Sequence, residues 1–569
     1  MFIDKVPNRN SPPAILLRES RREGGKVRKH TIANLSSCPE EAIEAFALSL
    51  RGVKLVPQGE AFAIEGSLPH GHVQLVLGAM KKLGMAELLC ARPCPERRLV
   101  LAMIAQRLLT PCSKLATVRR WKTTSLARTL EVAEADENDL YAALDWLLER
   151  QERIEKKLAK RHLGEGARVL FDVSSSSYHG RTCPLAARGY NRDGDKLPAI
   201  AYGLLANAEG RPVGVDVYAG NTADPATVPD QVDKLRERFG LGRVVLVGDR
   251  GMLTQTQIGA IKTHPGLGWI SALRAQSIQQ LATRGEVQMG LFDTHNLAEI
   301  RSGLFPGERL VVCHNPLLAE DRKRTREELL AATERLLQGI ADEVARRTKT
   351  PLAQKEIALK AGRKLNHYKV GKHFALDIAD GRFAFSRRHD KIAAEAALDG
   401  IYIIRSSVDA RRMDAADCVR NYKALANVER AFRSLKTVDL KVRPIHHRTA
   451  ERVRAHILLC MLAYYVEWHM REAWRELMFA DTDQAAKATR DPVAPAERSA
   501  AARAKLARRT LDDGTPVHSF STLMADLSTI VRNTCRTPSA GPEASTFDII
   551  TTPTASQRRA LDLIQRLRL

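Results

Sequence analysis

The sequence predicts an α/β fold: a mixed sheet with helices, interrupted by an α+β insertion and preceded by a helical N-terminal region. Three observations lead there. Between Ala167 and Arg274 the apolar runs read strand, strand, strand, helix, strand, helix, strand. Residues 67–165 instead carry apolar positions at helical spacing. Finally, residues 275–413 lie between the last of those strands and a further helix at 414–436.

Residues 1–66 read as a small strand-rich region with Lys and Arg gathered at 18–29. In 67–165, the segments HVQLVLGAMKKLGMAELLC, RRLVLAMIAQRLLT and DLYAALDWLLERQERIEKKLAKRHL are helical, the last ending near Gly164. RRWK at 119–122 sets an aromatic among basic residues, which fits a DNA contact or, more plainly, a solvated helix end. The first part of the core, 166–274, opens with the buried strand ARVLFDV (167–173). A hairpin follows at 199–220, turning at Glu209-Gly210-Arg211-Pro212. RVVLVGD (243–249) is a second buried strand, Thr254 and Gln257 read as a T-x-x-Q capping box, and LGWISALR (267–274) is a further strand. The insertion, 275–399, contains a charged helical stretch at 319–366 and strands within 373–388. The second part of the core, 400–478, begins with the strand GIYIIRSS and ends in a long, mostly apolar helix. Residues 479–517, rich in Ala, Asp, Arg and Pro, read as a flexible linker, and 518–569 as a tail with a short helix at 552–567.

Residues 414–436 read as one helix capped by Asp414, with no Gly or Pro inside. Tyr422, Glu429 and Lys436 recur every seven residues and so share one stripe, each ~10 Å from the next along the axis.

A chain of 569 residues holds several domains. Its 89 Lys and Arg against 66 Asp and Glu leave a net charge of +23, which calls for a polyanionic partner, most simply nucleic acid. No apolar run is long enough to span a bilayer, and the N-terminus lacks the apolar core of a secretory signal. Of nine cysteines only Cys90 and Cys94 lie close together, without a second pair to complete a zinc site. Scattered single cysteines fit a reducing, cytoplasmic location.

Two aspartates close two apolar strands, Asp172 and Asp249, and Glu429 lies on the downstream helix. Two Asp and one Glu suit a pair of Mg²⁺ ions, because hard oxygen ligands match a hard cation. Taken singly, each has a plainer reading: Asp172 as a turn-capping carboxylate, Asp249 as an Asx-turn or a partner of Arg250. Asp193, Asp195, Asp216 and Asp224 compete for the role. The joint order of two strand-end aspartates and a later helical glutamate is that of an RNase H-like nucleotidyl-transfer fold.

Around these residues the chain resembles the DDE transposases of bacterial insertion sequences, in the insertion-sequence-four superfamily marked by Y-x2-R-x3-E-x6-K. FDVSS around Asp172, YAGNTAD at 218–224, VLVGDRGM around Asp249, YKALANVERAFRSLK at 422–436 and the following LKVRPIHHRTAERVRAHILL carry the likeness, over roughly residues 165–470. The resemblance implies an Mg²⁺-dependent enzyme (Mn²⁺ as a substitute) with two ions on Asp172, Asp249 and Glu429, cutting and joining DNA strands. It implies Tyr422 and Lys436 as phosphate contacts, with Arg433 and Lys423 as further DNA-binding residues. Its partners would be double-stranded DNA, as terminal inverted repeats and as target, and a second copy of the chain in a synaptic complex within the bacterial nucleoid. On position and basicity alone, DNA-end binding would fall to the N-terminal 165 residues, with the helical region 67–165 as a candidate. One position departs: Leu425 stands where the signature has arginine, with Lys423 or Arg420 as candidates to replace it. Two other readings stay open, a catalytically impaired DNA-binding relative and a nuclease on the same fold that cuts without joining. Trp269 is read as a core residue or a base-stacking platform, and His446 and His447 as DNA contacts. Glycoside hydrolysis fits poorly with a basic chain of 5% aromatic content.

Overall fold

The computed structural model describes residues 1–9, 11–55, 57, 61–292, 295–537 and 545–568. The chain divides into two units, Met1–Leu68 with Ile530–Thr552, and Pro69–Thr529 with Pro553–Leu569. In the smaller unit, strands Phe2–Val6, Ala14–Glu23 and Lys26–Asn34 form an antiparallel meander, followed by helix Glu40–Leu50. A second sheet sets Val531–Arg536 between Phe547–Ile550 and Ala63–Pro69. The expected division into 1–66 and a separate tail is therefore incomplete, because strands from the far end of the chain complete the N-terminal unit.

The larger unit begins with helices, among them α1 (Pro95–Leu109), α2 (Lys114–Trp121), α3 (Glu137–Leu148) and α4 (Gln151–His162). A reciprocal capping box of Asp136 and Asp139 starts α3. Trp121, the aromatic of RRWK, is 2% exposed and belongs to the core. The sheet that follows has eight strands: β1 (Ala167–Ser177), β2 (Ala199–Asn207), β3 (Pro212–Ala219), β4 (Val244–Val247), β5 (Leu267–Ala272), β6 (Leu297–Ile300), β7 (Arg309–His314) and β8 (Ile401–Ser406). Their spatial order is β6-β7-β8-β5-β4-β1-β2-β3, with β1, β4 and β5 parallel and the remaining pairings antiparallel. This is the mixed α/β sheet expected of an RNase H-like core, extended on one side by three strands.

The extension moves one expected boundary. β6 and β7 fall in the stretch read as insertion, yet they pair into the core sheet: β7 carries an alternation-free apolar run, LVVC, as a strand buried on both faces requires. What projects from the sheet is Pro316–Arg346, a helix of 31 residues, with helix Gln354–Leu365 and the hairpin Phe374–Ala379 with Arg382–Arg387 packed on a core of their own.

Beyond β8 come α5 (Ala415–Lys423), α6 (Leu425–Arg433) and α7 (Ala450–Ala473), the last buried on nearly every side from Val453 to Met470. The single helix expected over 414–436 is broken. Asp414 caps it as expected, accepting the Asp417 N–H at 2.6 Å, but at Ala424 the chain tightens to an i→i+3 bond from Asn427 N to Ala424 O, 2.8 Å. After Arg433 it widens into a π turn, Ser434–Val438. A wider turn adds a residue per revolution, so a count of seven no longer holds Lys436 on the line through Glu429. The Thr254 capping box also fails to form: the Thr254 hydroxyl donates to the Gln257 side-chain oxygen instead of accepting a backbone N–H.

Residues 479–517, expected as a flexible linker, contain helices Gln484–Thr489 and Ala500–Arg508. Lys505 Nζ donates to the carbonyls of Glu476, Met478 and Ala480 at 3.1–3.2 Å, and Asp481 accepts from Ser499 N and Oγ at 2.8 Å. These specific bonds, invisible to composition, fasten a segment whose residues are individually polar. Among the described residues no single helix is long and apolar enough to cross a membrane; α1 and α2 pass such a test only as a pair bent by 90°. All nine cysteines are free.

Candidate active site

β1 and β4 run side by side through four rungs, Ala167 opposite Val244 to Leu170 opposite Val247. There β4 ends, while β1 continues to Ser177 paired only with β2. The edge of β1 is thus open beyond Leu170. Asp172 and Asp249 each lie two residues past the last rung, so their side chains leave neighbouring strands on the same face. Sequence reading ended the first strand at residue 173; the structure sets Asp172 mid-strand, at the point where the parallel pairing stops.

Asp249 makes the Asx-turn that was its plainer reading: Oδ1 accepts the N–H groups of Gly251 and Met252 at 3.0 and 2.7 Å. Asp172 Oδ1 accepts the Val173 N–H at 2.8 Å. Among the described residues the second carboxylate oxygen of each accepts no hydrogen bond, and the side chain of Glu429, exposed on α6, makes no hydrogen bond or ion pair. Each acid therefore keeps at least one oxygen for a ligand. Helix α6 turns Val428, Ala431 and Phe432 inward, with the Phe432 ring 5.8 Å from that of Tyr202 on β2, which leaves Glu429 on the rim. The β2–β3 turn supports this face: Gly210, with φ +88°, brings its backbone against Asn427, whose amide donates to Ala208 O at 3.0 Å.

Electrostatics links the three acids. Burial, opposed by the Val173 N–H and reinforced by the charge of Asp249, pushes the Asp172 carboxyl up to about 7. The Tyr422 phenol on α5 is raised to about 12 by burial and then by the charges of Asp249, Glu429 and Asp172, with Arg250 opposing. Tyr422 thus stands within the field of all three. Among the described residues no three His, Cys, Asp or Glu side chains are already arranged to hold a metal ion. The donor set is nonetheless all carboxylate, and the repulsion between Asp172 and Asp249 is of the kind a cation relieves.

The other expected contacts distribute differently. Lys436 Nζ lies 2.6 Å from Asp193 Oδ1 and 2.6 Å from Ser175 O, so its ammonium is committed to the end of β1. Lys423 donates to Val493 O at 3.3 Å, and Arg420 to Asp417 Oδ1 at 2.9 Å and Arg490 O at 3.3 Å. Both face the 490–493 segment, so neither replaces the arginine missing at Leu425, which is itself buried. Arg433 is exposed. Trp269 is fully buried under Arg405, a core residue with no face for a base. The competing aspartates are all engaged: Asp193 with Lys436 and Arg443, Asp195 with Ser177 and Asn191, Asp216 with Lys234, and Asp224 with Arg192.

Sequence reasoning missed two cations beside the acids. Arg250, adjacent to Asp249, has an exposed guanidinium with no partner among the described residues. Arg192 is held by Asp224 at 2.6 Å and acts on the charge of Asp172. The dipeptide Asp249-Arg250 was a visible signal for the first; nothing local announces the second.

A family model described as transposase DDE domain matches residues 166–466, and one described as IS1634 family transposase, N-terminal domain, matches residues 3–58. No curated protein matches the chain.

Proposed function

The chain belongs to the DDE transposase family, a family of DNA transposition, and on that premise we propose that it cuts the ends of an insertion sequence and transfers the freed strands to target DNA. The observation that carries this reading is the pair of carboxylates beyond the last β1–β4 rung, joined by Glu429 within the field of Tyr422, each with an oxygen that accepts no hydrogen bond among the described residues.

Asp172, Asp249 and Glu429 are the residues that would hold divalent cations, Mg²⁺ by the hardness of their oxygens. Ions held there would supply Lewis-acid chemistry, lowering the pKa of a water and offsetting charge in an in-line displacement. The protein's own part is positioning. The Asx-turn fixes the rotamer of Asp249, the strand fixes Asp172, and α6, packed on β1, carries Glu429 on its exposed side, from which its charge reaches Tyr422 together with theirs. Tyr422, its phenol kept neutral, offers a donor to a phosphate oxygen, and Arg250 offers a charge. The antiparallel hairpin of Ala14–Glu23 and Lys26–Asn34, exposed towards its turn and carrying Arg28 there, is a two-stranded ribbon of the kind a major groove admits and supports end binding by the N-terminal unit. Two ends brought together call for two protomers in one complex, at work on the cytoplasmic nucleoid.

Asp249→Asn removes one ligand while keeping the Oδ1 acceptor of the turn. Cleavage of duplexes bearing the element's terminal inverted repeats in Mg²⁺ should fall by several orders of magnitude with binding retained; undiminished cutting would defeat the assignment. Leu425 motivates a second reading, a relative that binds DNA without cutting it, and metal-dependent nicking by the wild-type protein excludes that reading.

A further inference from the structure

A cavity of about 640 Å³ lies between the α1–α2 corner, α3 and the segment leading into α7. Its lining is cationic: Arg107, Lys114, Lys441 and Arg448, with three histidines, and Arg443 and Arg452, which are paired with Asp193 at 2.7 Å and Asp145 at 3.7 Å. One lining carboxylate, Glu137, faces them, and it is engaged with the Tyr141 hydroxyl. Lys441 and Arg443 also line the neighbouring cleft that holds Lys436 and Asp193. Since Lys436 reaches Ser175 O, three residues past Asp172 on β1, the cavity adjoins the site described above.

The charges at its floor are uncompensated. Lys114 is 4% exposed, and among the described residues its ammonium has no hydrogen bond or carboxylate partner. Burying a lone ammonium is costly, and such groups are normally paired. Arg107, 6% exposed, spends its guanidinium on the neutral carbonyls of Leu440, Lys441 and Cys112 at 3.3–3.4 Å. Burial and then Arg107 push the Lys114 ammonium down to about 7, and burial and then Lys114 push the His447 imidazole down to about 3. At the rim, Lys441 holds a left-handed backbone, φ +45°, a conformation that costs energy for a residue with a side chain. A deep, cation-lined hollow with an unpaired ammonium at its floor is built for an anion.

We infer that this cavity receives the terminal 5′-phosphate of a DNA strand, seated on Lys114 and Arg107 with Arg448 and Lys441 at its mouth. The depth selects the ligand. An internal phosphodiester would have to carry the chain in and out past a floor residue that is 4% exposed, whereas a strand terminus enters head first. The charge agrees, because a phosphomonoester carries about −1.5 to −2 near neutral pH against −1 for a diester. The chemistry supplies such an end: when water adds to the phosphorus and the P–O3′ bond breaks, the 3′ oxygen takes the proton and a 5′-phosphomonoester remains. The inference rests on the proposed strand cleavage for its ligand, but its test needs binding alone, so the two fail separately.

The full-length protein is titrated against 3′-fluorescein oligonucleotides bearing either a 5′-phosphate or a 5′-hydroxyl, by anisotropy. The 5′-phosphate form should bind about tenfold more tightly. Lys114→Met should abolish that preference while unfolding at an equal or higher temperature, since an unpaired buried charge is removed. Arg448→Ala, at an exposed rim position, should reduce the preference in a background that folds normally and carries the test should Lys114→Met not fold. Inorganic phosphate alone should compete only at millimolar levels; competition at micromolar levels would assign the cavity to a free anion and overturn the inference. Equal affinity for the two oligonucleotides, or a preference unaltered in the variants, would overturn it as well.

Discussion

Lys436→Met separates a structural lysine from a DNA-contacting one. Lys436 and Asp193 have side chains only 12% and 4% exposed, with 2.6 Å between them, so the pair is not one of the surface ion pairs worth ~0–1 kcal/mol. Burial raises the Asp193 carboxyl, but the bonds from Lys436, the Ser177 N–H and Arg443 more than offset it and hold the group below its ordinary value. Removing the ammonium loses one charged contact but leaves Asp193 with Arg443 at 2.7 Å and Ser177 N at 2.9 Å. The expected cost is therefore about 1.5–3 kcal/mol, the range for a hydrogen bond to a charged group. Asp193→Asn is expected to cost more, about 3–5 kcal/mol, because it strips the counter-charge from Lys436 and Arg443 together. Thermal unfolding should show both decreases, about 1–3 °C for Lys436→Met and about 3–5 °C for Asp193→Asn in a unit of this size. A lysine on a DNA phosphate would behave otherwise: its loss lowers the slope of log affinity against log salt by about 1 and leaves stability alone. A Lys436→Met protein that melts with the parent yet binds DNA with a shallower salt slope would refute the structural assignment.

Three further outcomes are expected. Arg250→Ala should weaken DNA binding across sequences and lower the salt slope by about 1 with no change in melting temperature, because its exposed guanidinium has no partner among the described residues; an unchanged slope would remove Arg250 from the DNA path. Gly210→Ala should lower stability by about 1–3 kcal/mol and cleavage with it, since φ is +88° and a new Cβ would stand 2.8 Å from Asn427 Cβ on the helix that carries Glu429; Gly240→Ala, with φ +68° but open space, should cost less and spare cleavage. His162 and His469 are pushed by burial, and then by Arg211, down to about 4 and about 3. Both folded values lie below the ordinary 6.5, so their contribution is fully present above pH 6.5 and is lost as pH falls towards 4. Melting temperature should drop across that window, less steeply in His162→Gln, and identical profiles would count against the buried neutral histidines.

The strands and the acids were legible because each rests on a local signal. Apolar runs of four to nine residues fixed β1 to β5 and β8, and strand-end position singled out Asp172 and Asp249. What stayed hidden depends on distant partners. No periodicity reveals that Val531–Arg536 pairs with a strand from the N-terminal unit, or that β6 and β7 join the core sheet. The count of seven broke down at Lys436 because the π turn after Arg433 alters the helical pitch, while Tyr422 and Glu429 remain within reach of each other's charge. Lys436 looked like a free cation because its partner, Asp193, is remote in sequence. Lys114 was not noticed at all: a lysine opening a helix is ordinary until its burial is known.

The way the projecting helices leave and rejoin the sheet has one more consequence. β7 ends at His314 directly opposite Ile401, where β8 begins, so the two borders of the intervening segment are neighbours on one ladder, ~5 Å apart. That segment is a cassette hung from a single doorway. Lengthening it, trimming it or exchanging it for another need not disturb the register of β8 with β5, and therefore need not shift the helix bearing the third acid. Such an arrangement lets a lineage of these proteins remodel one whole lobe while the chemistry stays in place.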